Sequence, residues 1–141
     1  MEEIKKYLEE YDSIIVNRLE TQTRQPSLYF SACLIDHQQS YEIMKLLIDH
    51  GANPHFKDNF QQTVLFYVCR DGKEKCLDLL LERGLNLNDP DLYGQTPLYY
   101  AAKENRLNII HKLIENKVDL NIKDQIAGQT PLFYAAKEGH L

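Results

Sequence analysis

Cysteines, histidines and paired carboxylates are the side chains from which a nucleophile, a general base or a metal site would be built. This 141-residue chain holds few of them at useful spacing. Its three cysteines, Cys33, Cys69 and Cys76, make no Cys-x-x-Cys pair and no even set for a disulfide framework. The five histidines, His37, His50, His55, His111 and His140, give neither an HExxH signature nor a Cys/His cluster with zinc-ligand spacing. No glycine-rich phosphate loop is present. The pairs Glu2-Glu3 and Glu9-Glu10 lie on a terminal segment and read as a solvated face rather than an acid–base couple. Catalysis needs a nucleophile, a base and an orienting group in one pocket. The sequence offers no such set, so the reading is no catalytic residue, no metal ligand and no cofactor.

Composition narrows the remaining classes. A formal net charge of −5 argues against a nucleic-acid partner, which calls for a basic face. Hydrophobic residues make up 43% of the chain, enough for a continuous core, yet no run approaches the length of a membrane span. The opening residues, Met1 to Lys6, lack the apolar stretch of a signal peptide, and no Asn-x-Ser/Thr acceptor occurs. Cys69 and Cys76 fall at apolar positions and are expected to be buried free thiols. These features predict an intracellular protein, cytoplasmic or nuclear.

What organises the chain is a recurring phrase: Gln62-Thr63-Val64-Leu65-Phe66-Tyr67, Gln95-Thr96-Pro97-Leu98-Tyr99-Tyr100-Ala101-Ala102, and Gln129-Thr130-Pro131-Leu132-Phe133-Tyr134-Ala135-Ala136. Thr63 and Thr96 lie 33 residues apart, Thr96 and Thr130 34. Such a period denotes stacked supersecondary units, each too small to bury its apolar face alone. Thr before Pro marks a helix start, where the hydroxyl is expected to accept an orphan amide and proline has no amide to leave unpaired. Leu107, Ile109, Ile110, Leu113 and Ile114 then follow at helical spacing as a second helix. Gly51 and Gly84, just past their second helices, suit a left-handed turn.

With these positions in register, the chain resembles the ankyrin-repeat family, whose pattern runs D-x-x-G-x-T-P-L-H-x-A-A-x-x-G-H, then a leucine-rich helix, then G-A-D-x-N. The resemblance covers about residues 24 to 141. It implies an all-α solenoid of stacked helix-turn-helix units joined by short β-hairpin-like turns. An N-terminal helical cap or degenerate repeat is expected at 1–23, and repeats at 24–57, 58–90 and 91–123. Residues 124–141 then form the first half of a fourth repeat. That unfinished unit suggests a piece of a longer array, with an apolar side open to self-association. Repeat one carries four extra residues around Asp36 to Gln39, to be absorbed by a helical turn or a longer loop.

Several positions depart from the family pattern. Val64 replaces proline, Gln61 the turn glycine of Gly94 and Gly128, and Lys117 the glycine at a helix exit. The histidine after T-P-L is replaced in every copy, by Tyr29, Phe66, Tyr99 and Phe133, so the family's histidine network is not expected.

Function then falls to the surface. The resemblance places partners along the concave face, where turn tips and first helices line up at roughly 10 Å per unit. Carried over by position, the tips supply Asn59, Phe60, Leu92, Tyr93 and Gln125. The first helices supply Arg70-Asp71, Lys103-Glu104 and Lys137, beside an aromatic column of Tyr67, Tyr100 and Tyr134. Those tyrosines either fill space between neighbouring helices or bring their hydroxyl edges to the groove. Phe60, Leu92 and Tyr93 are the sharper candidate anchors. The leading expectation is a non-catalytic module binding a protein or peptide. The alternatives are a regulatory or targeting part of a larger enzyme, such as a chromatin modifier, kinase or ubiquitin ligase, and a methyl-lysine reader using Tyr67 or Tyr100 near Asp71 or Glu104.

Overall fold

The computed structural model describes residues 27–140 together with Lys6; the expected cap at 1–23 lies outside the described residues. Seven helices occur among those residues: α1 (Ser27–Cys33), α2 (His37–Asp49), α3 (Val64–Asp71), α4 (Glu74–Glu82), α5 (Pro97–Lys103), α6 (Leu107–Glu115) and α7 (Pro131–Lys137). The chain is all-α over this span. Three consecutive pairs, α1–α2, α3–α4 and α5–α6, form complete units, and α7 begins a fourth. Most of these helices run 7 to 9 residues, too short to persist alone in water. They hold because α1, α3, α5 and α7 pack side by side in one layer, with α2, α4 and α6 in a second.

The core is the seam between the layers. Leu28, Leu65 and Leu98 recur from the first helices and meet Met44, Leu77, Leu80, Ile109 and Leu113 from the second. Ala101 and Ala102 are buried where large side chains would separate α5 from its neighbours. Cys69 and Cys76 are buried in this seam, whereas Cys33 is exposed. Burial pushes both buried thiols above the ordinary cysteine range, as the apolar seam disfavours thiolate. Leu98 is 3% exposed and Leu132, its counterpart in α7, 67%; no second helix covers α7 among the described residues.

The four extra residues of the first unit add one helical turn. Helix α2 has 13 residues where α4 and α6 have 9, and Asp36 caps the added turn by accepting from the Gln39 amide at 2.8 Å. Threonine capping departs from expectation. Thr130 accepts from Phe133 N at 3.5 Å, but Thr63 and Thr96 make no side-chain cap bond. In the second unit the backbone supplies the acceptor, because Phe66 N bonds the Thr63 carbonyl at 3.1 Å. Thr96 Oγ1 is buried without a hydrogen-bond partner.

Each tip closes on itself through an aspartate amide: Asp58 N to Gln62 O, Asp91 N to Gln95 O and Asp124 N to Gln129 O, all at 2.9 Å. Neighbouring tips are tied by Leu92 N to Phe60 O at 2.9 Å and Gln125 N to Tyr93 O at 2.8 Å. The fourth tip holds one residue more, which accounts for the longer second period.

Backbone strain follows the same register. The three described non-glycine residues with positive φ are Gln61 (60°), Asn105 (54°) and Lys117 (59°). Each stands where other units have left-handed glycines: Gly94 and Gly128, Gly72 and Gly139, Gly51 and Gly84. Lys117 is exposed, so its side chain contributes little to offset a left-handed backbone. Lys117→Gly is expected to raise stability by about 1 kcal/mol, read as a higher urea midpoint at unchanged m-value. A lower midpoint would contradict the turn geometry.

Candidate functional site

The surface with repeating chemistry is the outer face of the first helices, edged by the tips. Its floor is built by the aromatic pair that stands in place of the usual histidine. Tyr29 meets Tyr67 edge to face with centroids 5.1 Å apart; Phe66 meets Tyr100 at 5.8 Å; Tyr99 meets Tyr134 at 4.5 Å. In each case a ring from one unit abuts the tyrosine of the next, the arrangement that ring quadrupoles favour. Tyr67, Tyr100 and Tyr134 therefore share one face, half-buried.

Two of these hydroxyls are taken up inside the protein. Tyr67 OH donates to Asp58 Oδ2 at 2.9 Å and Tyr100 OH to Asp91 Oδ2 at 2.8 Å. The aspartates are buried, and their Oδ1 atoms accept the amides of Phe60 and Gln62 in one tip and of Tyr93 and Gln95 in the next, at 2.8–3.0 Å. Asp124 repeats that pattern with Ile126 and Ala127. Burial opposes ionisation of Asp124, yet the Ala127 amide, the Tyr134 hydroxyl and the Ile126 amide together hold its carboxyl below the usual range. Gln62 Nε2 crosses the joint to Asp91 Oδ2 at 2.8 Å and Tyr100 OH at 2.9 Å, and Tyr100 OH also reaches Gln95 Oε1 at 3.1 Å. Each tyrosine thus fixes its own tip to its own first helix. Neither reading of the tyrosines, as space-filling rings or as groove contacts, includes this bond to the tip; the nine-residue spacing of Asp58 to Tyr67 and of Asp91 to Tyr100 is compatible with it without singling it out.

The other candidates lie around this floor. Phe60, Leu92 and Tyr93 are 48%, 55% and 44% exposed at the tips, and Asn59 and Gln125 are exposed beside them. Ile126, 66% exposed, continues the column of Phe60 and Tyr93 and is a further apolar tip residue. On the helices, Arg70 forms a two-bond fork with Asp71 at 2.7 and 3.1 Å and lies over the Tyr67 ring at 5.1 Å. Lys137 stands over Tyr134 at 5.8 Å. Lys103, Glu104 and Lys137 are exposed. The first unit extends both columns, with Phe30 at the tyrosine position and Cys33 at the Arg70 position, both exposed. Aligning that unit across its insertion would have found them.

Away from this face, a second set of cross-unit bonds closes the joints. Lys73, only 2% exposed, donates to the Leu34 carbonyl. Arg106 Nε donates to Arg70 O at 2.7 Å and His140 Nε2 to Lys103 O at 2.8 Å. All three cationic or imidazole side chains occupy one repeat position. Each satisfies a carbonyl at the end of the preceding first helix, where helical partners run out and the dipole is negative. A recess of about 320 Å³ beside these loops is lined by His37, Asp71, Glu74, Asn105 and Arg106, with no nucleophile set against a base. Among the described residues no group of three His, Cys, Asp or Glu side chains could hold a metal, and no helix is long and apolar enough to cross a membrane.

Stacked two-helix units with hairpin-like tips and a repeating face define a solenoid of the interaction-module class. The family model for ankyrin repeats (3 copies) matches residues 28–124. The chain belongs to the ankyrin-repeat family, whose domains generally bind protein partners and are typically non-catalytic. A comparison with curated proteins returns no match.

Two outcomes follow from the tyrosine–aspartate bonds. Tyr67→Phe should lower stability by about 1–3 kcal/mol, because it strips a hydroxyl donor from the buried Asp58. Tyr100→Phe should cost less, since Gln62 still reaches Asp91; urea denaturation of the two variants decides. Burial raises the hydroxyl pKa of Tyr29, Tyr67, Tyr99 and Tyr100 above the ordinary value, with Asp58 adding to the first two and Asp91 to Tyr100. A raised folded-state pKa stabilises below the unfolded value and is lost above it. The urea midpoint should accordingly fall as pH climbs beyond about 10, less steeply in Tyr100→Phe than in wild type.

Proposed function

We propose that this domain is a non-catalytic recognition module that grips a peptide or protein along the tips and first helices. The observation that carries the reading is the contrast between the two sets of aromatics. Tyr67 and Tyr100 are anchored inward by Asp58 and Asp91, whereas Phe60, Leu92, Tyr93 and Ile126 hold 44–66% of their surface exposed on tips that have no core to enter. Aromatic and large aliphatic anchors set in a rigid frame are what interfaces use for most of their affinity. Asn59, Gln125 and the charged residues Arg70, Asp71, Lys103, Glu104 and Lys137 surround them and set orientation and partner choice more than strength.

The tyrosines are the frame of this site, and their half-buried rings are its floor. A methyl-lysine cage is the less favoured reading, because the Arg70 guanidinium already lies over Tyr67. Membership of a larger regulatory protein is compatible with the same surface, and no contact within residues 27–140 favours it. Intracellular residence is supported by the three free thiols.

Peptide display against the 141-residue chain tests the reading. Selected sequences should bind wild type and lose roughly tenfold or more on Phe60→Ala with Tyr93→Ala, a variant whose urea midpoint stays near wild type. Selected sequences that bind the variant as tightly would move the site elsewhere.

A further inference from the structure

The regular spacing of this face also restricts the shape of what it binds. Phe60, Tyr93 and Ile126 recur once per unit, and packed helices set that step at about 10 Å. A β-strand returns a side chain to the same face about every 6.6 Å, so its repeats fall at about 6.6 and 13 Å and miss the rungs. Seven residues of α-helix advance about 10.5 Å, and three residues of polyproline helix about 9.3 Å. Both periods fit.

Width separates them. Tyr100 leaves α5 and ends on Asp91 in the tip, so the apolar tip row and the helix charges stand one tyrosine side chain apart. An α-helix, about 10–12 Å across with its side chains, touches both rows together.

Charge excludes partners of a single sign. Lys103 with Glu104 and Lys137 with Glu138 present both signs side by side, and none of the four is in an ion pair among the described residues. A polyacidic or polybasic chain would gain against one member of each pair and lose against the other. Arg70 and Asp71 already satisfy each other.

Resting on the recognition reading above, we propose that the partner is an amphipathic α-helix. Its apolar residues recur every seventh position against Phe60, Tyr93 and Ile126, and its flanks carry both acidic and basic side chains. Three synthetic peptides of matched length test this against the 141-residue chain by fluorescence anisotropy. One is a helix with leucines seven apart and mixed Glu/Lys flanks, one has leucines three apart in a proline-rich frame, and one is polyglutamate.

The helix should bind roughly tenfold tighter than either alternative and weaken roughly tenfold on Ile126→Ala or Tyr93→Ala. Equal or tighter binding of the proline-rich peptide or of polyglutamate overturns the proposal, as does helix binding that ignores both substitutions. Display-selected sequences keep the two readings apart. If they need Phe60 and Tyr93 but lack the seven-residue spacing, the helical partner is wrong and the face stands. If they need neither residue, both readings fall.

Discussion

The joint between one unit and the next rests on a ring meeting a ring. Where the family pattern has histidine, this chain has Tyr29, Phe66 and Tyr99, each set edge-on against the tyrosine of the following unit. That contact is directional in a way that aliphatic packing is not, because the ring quadrupoles favour an edge against a face over stacked faces. It fixes the rotation of each unit about its neighbour. The hydroxyl of Tyr67 or Tyr100 then ties the tip to the helix through a buried aspartate. Unit-to-unit placement and tip placement thereby converge on the same side chain.

Around that joint the remaining bonds act as closures. Gln62 bridges from the second unit to Asp91 and Tyr100 of the third, and the tips share single backbone hydrogen bonds. Lys73, Arg106 and His140 close the opposite edge through helix-terminal carbonyls. Short helices that would melt alone are held by neighbours on both sides. The polar pairs across the second-helix layer, such as Lys112 with Asp78 at 2.5 Å and Arg83 with Asp49 at 3.4 Å, are solvent-exposed and contribute little beyond register.

Much of this was legible in the residues. The repeated Gln-Thr-x-Leu phrase located the first helices α3, α5 and α7, and the glycines of two units marked the left-handed turn that Lys117 must also adopt. The thirteen-residue α2 was readable as an added turn because its four extra residues equal about one helical turn. The direction of the tyrosine hydroxyls was not legible, since the same spacing serves a ring that faces solvent or one that folds back on its tip. The Thr-Pro capping rule holds at Thr130 and misled at Thr96, whose hydroxyl is buried and makes no cap bond. Ile126 keeps the place of Phe60 and Tyr93, two residues after its tip aspartate, so its position was legible although its exposure was not.

One detail of the joints bears on how such a protein can change over evolutionary time. Arg106 reaches the carbonyl of Arg70, and His140 that of Lys103, so in each case the acceptor belongs to the main chain. Main-chain acceptors survive any mutation of the residue that bears them. Positions 70 and 103 can drift between arginine, lysine or an uncharged residue while the stack remains closed. At these two joints the acceptor lies in atoms common to all amino acids, whereas partner choice lies in the side chains that differ. The same scaffold can therefore be redirected to a new ligand one surface residue at a time.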